Sequence, residues 1–330
     1  MRTASIAIGL GVVVLMGCKE GAPPATGKAR LDKVPYRLVA TTAMVADIAT
    51  AVAGERAKVE TIIGTGVDPH LFKPTRDVVA ALTSADVVLY SGLVLEGKMT
   101  DSFVKLATDG KPVYAVTARL EPSYLLEPEE MQGHTDPHVW MDVLAWSRCA
   151  ALVADQLSDL DPAGREVYQA NARRYEAELA RLHEYVKRVI ASVPAEQRVL
   201  VTAHDAFNYF GRAYALEVRG IQGISTESEA GVDDINKLVD LLVTKKVKAV
   251  FVESSVSAAN IKAVIAGAAS RGHTVAIGGE LFSDAMGATG TYEGTYIGML
   301  DHNATLIARA LGGEAPERGM DGKLAPPAGK

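Results

Sequence analysis

The sequence predicts an α/β protein built as two similar lobes with parallel sheets, joined by one long rigid helix. Three observations predict it. Short apolar runs fall into two sets of four, at 37–40, 59–63, 87–90 and 113–116 and again at 199–202, 217–221, 249–253 and 274–277. Most of them end near Gly, Ser, Thr, Asp or His, as buried parallel strands in βα units do. Between the two sets lies an unbroken amphipathic stretch from Asp161-Pro162 to Pro194.

From the N-terminus, the first segment is separate from the body. Arg2 supplies a short positive start, and residues 6–16 form an apolar run broken only by glycines. A membrane-spanning helix needs about 20 residues, so the run fits the core of a secretory signal instead. It ends at Leu15-Met16-Gly17-Cys18, which resembles a bacterial lipobox whose cysteine carries lipid and becomes the new N-terminus. Residues 19–34 are rich in Gly, Pro, Ala and Lys and predict a flexible tether. The expected location is the periplasm or outer cell surface, with Cys18 anchoring the chain to a membrane. Lys19 after the cysteine resembles the pattern sorted onward to an outer membrane, where the organism has one.

The remaining organisation follows: signal peptide 1–18, tether 19–34, N-terminal lobe 35–160, connecting helix 161–194 and C-terminal lobe 195–330. With 330 residues, 48% hydrophobic and 22% charged, the chain is long enough for two α/β units. A net charge of -6 argues against a nucleic-acid partner, which would want a basic stripe. With Cys18 lipidated, only Cys149 remains, and no disulfide can form within the chain. Cys149 shares a helical face with Trp146, Val153 and Leu157 and reads as a small buried hydrophobe, with a metal ligand as the alternative.

The connector has the clearest pattern. Asp161 is placed to cap a helix, with Pro162 at its first position. Tyr168, Tyr175, Leu179, Leu182, Val186 and Ile190 recur on one face, and Pro194 closes the segment. A single helix of about 32 residues would span about 48 Å and restrict wide lobe closure.

Among the 7 histidines, His183, His273 and His302 read as ordinary surface or structural residues. His70 and His138 each follow Asp-Pro, at 67–70 and 135–138. The proline stiffens the chain ahead of each imidazole. Asp136 is placed to cap a helix, with Pro137 first and His138 in the first turn, where the helix dipole favours a neutral, metal-competent ring. His204 ends the run 199–202 and Asp284 follows the run 274–277, both at carboxyl ends of strands, where open α/β sheets bind ligands. Two facing lobes could bring three imidazoles and a carboxylate together, a four-ligand set for zinc or a related ion.

At these residues the chain resembles the TroA-like family, the zinc- and manganese-binding solute-binding lipoproteins of metal ABC transporters, also called the lipoprotein receptor-associated antigen family. The resemblance rests on VDPHLFKPT (67–75), DPHVWMD (136–142), TAHDAFNYFGRAY (202–214), GISTESEAG (223–231), VFVESSVS (250–257) and GGELFSDAMG (278–287), in the family's order across 35–312. It implies metal ligation by His70, His138, His204 and Asp284 in a cleft between two lobes. It further implies one Zn2+ or Mn2+ per chain as transported ligand, a permease and its ATPase as partners, and a monomer. Many dedicated zinc members carry a long His- and Asp-rich loop before the second ligand. Here that region is EPEEMQGHTDPH, with His134 as its only extra histidine.

Other carboxylates read as structural. Glu227 and Glu229 are expected around a helix start, and Glu253 as a cap for backbone N–H groups. A zinc hydrolase is the rival from another class. A catalytic zinc keeps an open position, however, whereas four ligands close the tetrahedron, and no H-E-x-x-H motif is present. No catalytic residue is assigned. A surface adhesin of the same fold is a further alternative, and a siderophore or corrinoid receptor would need a large aromatic or Arg-lined cleft. The ligand set leaves zinc and manganese both open.

Overall fold

The structure is a computed structural model that describes residues 30–31, 33–128 and 133–326. The signal segment, Cys18 and most of the tether lie outside the described residues. Among those described, no helix is long and apolar enough to cross a membrane.

The N-terminal half alternates β1 (Tyr36–Ala40), α1 (Ala43–Ala53), β2 (Ala57–Thr61), α2 (Arg76–Ser84), β3 (Val87–Tyr90), α3 (Thr100–Thr108) and β4 (Val113–Ala115). Its strands form one parallel sheet in the order β2-β1-β3-β4. The order reverses between β1 and β3, so loops at the carboxyl ends border a crevice suited to a ligand. β2 starts two residues earlier than its apolar run because pairing with β1 sets its register, Tyr36 against Ala57. Ile62 and Ile63 then lie past the strand, and their N–H groups bond Ala40 and Thr41.

Two helices follow: α4 (Val143–Leu160) and α5 (Arg165–Ala191). On α4, Trp146, Cys149, Val153 and Leu157 are all buried, and burial pushes the Cys149 thiol up to about 12. The connector departs from the expected form at its start. Pro162–Gly164 makes a 3-10 turn, and α5 begins after it without a side-chain cap. Asp161 does not cap because its carboxylate is already engaged, accepting from Arg56 at 2.7 Å and Tyr168 at 2.6 Å. The α-helical part has 27 residues, about 40 Å at 1.5 Å per residue. Its apolar stripe, Tyr168 through Ile190, is buried as predicted.

The C-terminal half repeats the plan with β5 (Val199–His204), α6 (Asn208–Tyr214), β6 (Glu217–Gln222), α7 (Val232–Lys245), β7 (Ala249–Glu253), α8 (Ala259–Ser270), β8 (Ala276–Leu281) and α9 (Tyr296–Ala310). Its strands form two parallel pairs, β5-β6 and β7-β8, with β5 beside β7. Gly279, in β8, adopts φ 140, and a Cβ there would meet the Leu306 side chain of α9 at 2.6 Å. Its lack of a side chain lets α9 close on the sheet.

One apolar cluster runs through both halves, from Tyr36 and Leu38 to Ile307 and Leu311. It passes through α5, which packs against α1, α4 and α9. The halves therefore share a core along the helix side, and the crevice opens on the other.

Candidate metal centre

Of the four residues singled out from the sequence, His204 and Asp284 sit at or just after a strand end, and His70 and His138 lie well into the loops that follow β2 and β4. His70 lies in the loop between β2 and α2, and His138 in the loop between β4 and α4. His204 is the last residue of β5, and Asp284 follows β8. One ligand atom from each lies within 4.8 Å of all the others. His204 Nε2 is 3.1 Å from Asp284 Oδ2, and His138 Nε2 is 3.3 Å from Asp284 Oδ1. His70 Nε2 is 3.4 Å from His138 Nε2 and 3.9 Å from Asp284 Oδ2. All four are buried, His70 the least at 6% exposure.

Buried polar atoms without partners are costly, and natural proteins keep few of them. Here His204 Nε2 and both Asp284 oxygens are buried and make no hydrogen bond. The approaches to Asp284 are close enough for ion pairing, yet the donor atoms turn toward a common point. Three imidazole nitrogens and a carboxylate oxygen around one point form the donor set of a tetrahedral transition-metal site.

Local carboxylates aim two of the rings. Asp136 Oδ1 accepts the His138 backbone N–H at 3.0 Å and sits 2.7 Å from its Nδ1. Glu253 accepts the His204 N–H at 2.9 Å and sits 2.5 Å from its Nδ1. A carboxylate at Nδ1 accepts the ring N–H there, which holds the proton on Nδ1 and leaves Nε2 facing inward to ligate. His70 differs. Asp68 accepts its backbone N–H at 2.8 Å, but among the described residues no carboxylate approaches its Nδ1.

His138 corrects a sequence expectation. No α-helix begins at Pro137. His138 precedes a 3-10 turn, Val139–Met141, and α4 starts at Val143 with Asp142 as cap. Helix-dipole suppression of the ring's charge does not apply, and the surroundings act the other way. Burial pulls His138 down, but the Asp136 and Asp284 carboxylates outweigh it and raise it to about 9. Burial also opposes charge on His204, yet Glu253 and Asp284 drive it well above the ordinary imidazole range. Burial pushes Asp284 up, while His204 and His138 hold it well below the carboxylate range. His70, with burial dominant, falls to about 4. A metal at this centre would therefore compete with protons for the His138 and His204 rings, and not for His70.

The two halves are joined around the centre. Trp140, in the DPHVWMD motif, donates its indole N–H to the Ser283 carbonyl at 2.9 Å, next to Asp284. Tyr296 donates to the Trp140 carbonyl at 2.7 Å. A cavity of about 200 Å³ adjoins His70 and is lined by Val94, His134, Pro137, Ile224 and Glu227 among others.

The other expectations divide. His273 and His302 bond carbonyls of Val247 and Glu280 and are structural. His183 is half-buried, not solvated, because α6 brings the Tyr214 hydroxyl to 3.2 Å from its Nδ1. Glu229 lies near Gln222 and Asn260. Glu227 stands before the helix start but pairs with Lys98 of the opposite half at 3.0 Å. Glu253 does cap a backbone N–H, as expected; its hold on the His204 ring was not anticipated. Asp136 was legible in principle, because a carboxylate two residues before each of His70 and His138 is a local pattern. Glu253 carried no such signal, standing 49 residues from His204.

The family of the periplasmic zinc-uptake complex component A matches residues 38–310. The manganese-binding lipoprotein MntA of Bacillus subtilis is 46% identical over 275 residues, covering 83% of this chain and 89% of that protein. The zinc-binding protein TroA of Treponema pallidum is 43% identical over 301 residues, covering 91% and 96%. A solved structure of the Treponema pallidum TroA superposes with a TM-score of 0.81 at 44% identity, covering 84% of this chain and 99% of that one.

Proposed function

The chain belongs to the family of the periplasmic zinc-uptake component A, and on that premise we propose that it captures one divalent transition-metal ion, zinc or manganese, outside the cytoplasm and delivers it to the permease and ATPase of an ABC transporter. One observation carries the reading: four buried side chains each bring a donor atom within 4.8 Å of the others, and His204 Nε2 and both Asp284 oxygens there have no hydrogen-bond partner. His70, His138 and His204 would each offer Nε2, and Asp284 would offer an oxygen that offsets part of the ion's charge. Four protein ligands leave no open position for a reacting water, which favours carriage over catalysis. The relatives are named as binding proteins of zinc or of manganese, which favours capture over an adhesin or a hydrolase.

Further parts of the reading rest on the sequence. Cys18 carries the lipid anchor, and the mature chain acts as a monomer at the periplasmic or outer surface of a membrane. Residues 35–160 and 195–330 act as the two lobes, with 161–194 as connector. Replacing Cys18 with Ala releases the chain from the membrane fraction if the anchor is correct.

The site is tested by titrating zinc and manganese into the parent, His204→Glu and Asp284→Ala proteins. The parent takes up one equivalent of metal. His204→Glu adds an oxygen donor and shifts relative preference toward manganese, and Asp284→Ala weakens manganese more than zinc. No stoichiometric uptake by the parent, or an unchanged zinc-to-manganese ratio in both variants, would remove these residues from the metal shell.

A further inference from the structure

The GISTESEAG segment (223–231) contributes no ligand to the centre, yet it touches the loop that carries one. Thr226, 8% exposed, donates its hydroxyl to Asp68 Oδ2 at 2.5 Å, across 158 residues of sequence and across the crevice. The other oxygen of the same carboxylate, Oδ1, accepts the His70 backbone N–H at 2.8 Å. Asp68 therefore joins His70 on one side to the C-terminal half on the other. The next residue, Glu227, makes a second crossing to Lys98 at 3.0 Å. On the far side of the His70 loop, Gly66 adopts φ 71, and a Cβ there would come to 3.5 Å from the Ser254 carbonyl.

His70 is the imidazole whose position most needs such support. His138 and His204 are each clamped at Nδ1 by a buried carboxylate, Asp136 and Glu253. His70 has no such clamp among the described residues and borders the cavity beside the centre. Among the described residues, the side-chain hydrogen bond that ties its loop across the crevice is the one from Thr226; the His70–His138 approach lies within the N-terminal half.

We propose that Thr226 is a positioning residue for metal exchange: through Asp68 it holds the His70 arm against the ion, and release begins when that hydrogen bond opens. The Lys98–Glu227 pair is a weaker, solvent-facing support beside it. The inference rests on the metal-binding reading above and deepens it by assigning which ligand leaves first.

The test loads the full chain with zinc, mixes it with excess chelator and follows release by stopped flow for the parent, Thr226→Val and Thr226→Ser. Valine keeps the volume of threonine and lacks the hydroxyl; serine keeps the hydroxyl. Thr226→Val still binds one zinc but releases it about three- to tenfold faster, the effect of one hydrogen bond, and Thr226→Ser returns to the parental rate. Hydrogen exchange at 64–72 in the zinc-loaded state rises in Thr226→Val and not in Thr226→Ser. A Thr226→Val release rate equal to the parent's overturns the proposal. So does a Thr226→Ser rate as fast as that of valine, because packing and not the hydroxyl would then be responsible. If Thr226→Val does not fold, Thr226→Ala carries the same comparison under the same criteria. Failure of the parent to bind zinc at all would instead sink the metal-binding reading, so the two failures are distinguishable.

Discussion

The helix side of the molecule and the mouth of the crevice hold the same two halves together by different physics. On the helix side, α1, α4, α5 and α9 share one apolar cluster that passes from half to half. Each fully buried Leu or Val there is worth about 1.5–3 kcal/mol, and many act together. At the mouth, the halves meet through Thr226 with Asp68 and Lys98 with Glu227. A hydrogen bond nets about 0.5–1.5 kcal/mol and an exposed ion pair about 0–1 kcal/mol. Apolar burial is cooperative and non-directional, so the helix side fixes how the halves sit. Polar contacts break singly and re-form with water, so the mouth can open locally while the helix side stays shut. A carrier that must hold an ion and then give it up needs both properties.

The largest expected effect lies on the helix side. Leu179 is fully buried in the middle of α5. Leu179→Ala should cost about 2–5 kcal/mol of stability by lost burial and a residual cavity. Denaturant unfolding of the unloaded protein measures it. A loss no larger than that of a mouth variant would break the contrast between the two regions.

Asp161 comes next. It ion-pairs with Arg56 at 2.6 Å and accepts from Tyr168, tying α5 to the N-terminal half. Burial pushes its carboxyl up, but Tyr168 and Arg56 together hold it below the ordinary value of 3.8. A carboxylate depressed in the folded state stabilises above its unfolded pKa and loses that contribution as pH falls through the folded value. Asp161→Ala should therefore cost about 1.5–3 kcal/mol at neutral pH, as hydrogen bonds to charged groups do. Its deficit relative to the parent should shrink below pH about 4. Paired unfolding curves at neutral and acid pH decide it, and a deficit independent of pH contradicts the ionic account.

Glu253 sharpens the comparison from the centre itself. Glu253→Ala frees the His204 ring and should weaken zinc binding about 10–100-fold, the usual effect of losing a group that orients a metal ligand. Competition against a calibrated chelator reads it. Zinc affinity equal to the parent's would show that β5 alone aims His204.

The smallest effect is expected at the rim. Lys98→Gln removes an ion pair in which Lys98 is 30% and Glu227 53% exposed. Its effect on stability should stay under about 1 kcal/mol and fade further with added salt. A larger loss would mean that the mouth, too, carries structural weight.

What the sequence determined by itself was whatever depends on neighbours along the chain. Strand runs, the apolar stripe of α5 and the placing of His70, His138, His204 and Asp284 at or after the carboxyl ends of strands follow from spacing and backbone chemistry, and the structure brings those four side chains together. Features set by distant partners were decided by the fold. Asp161 has the composition of a helix cap, but Arg56, 105 residues away, claims its carboxylate. Asp136 precedes a proline as a cap would, but the imidazole two residues on takes it, and α4 starts later, at Val143, with Asp142 as its cap. Glu253 reaches the His204 ring, and Thr226 reaches Asp68, only because β7 lies beside β5 and the two halves face each other. A buried carboxylate goes to whichever donor best offsets its lost hydration, and which donors lie within 3 Å is decided by the packed fold.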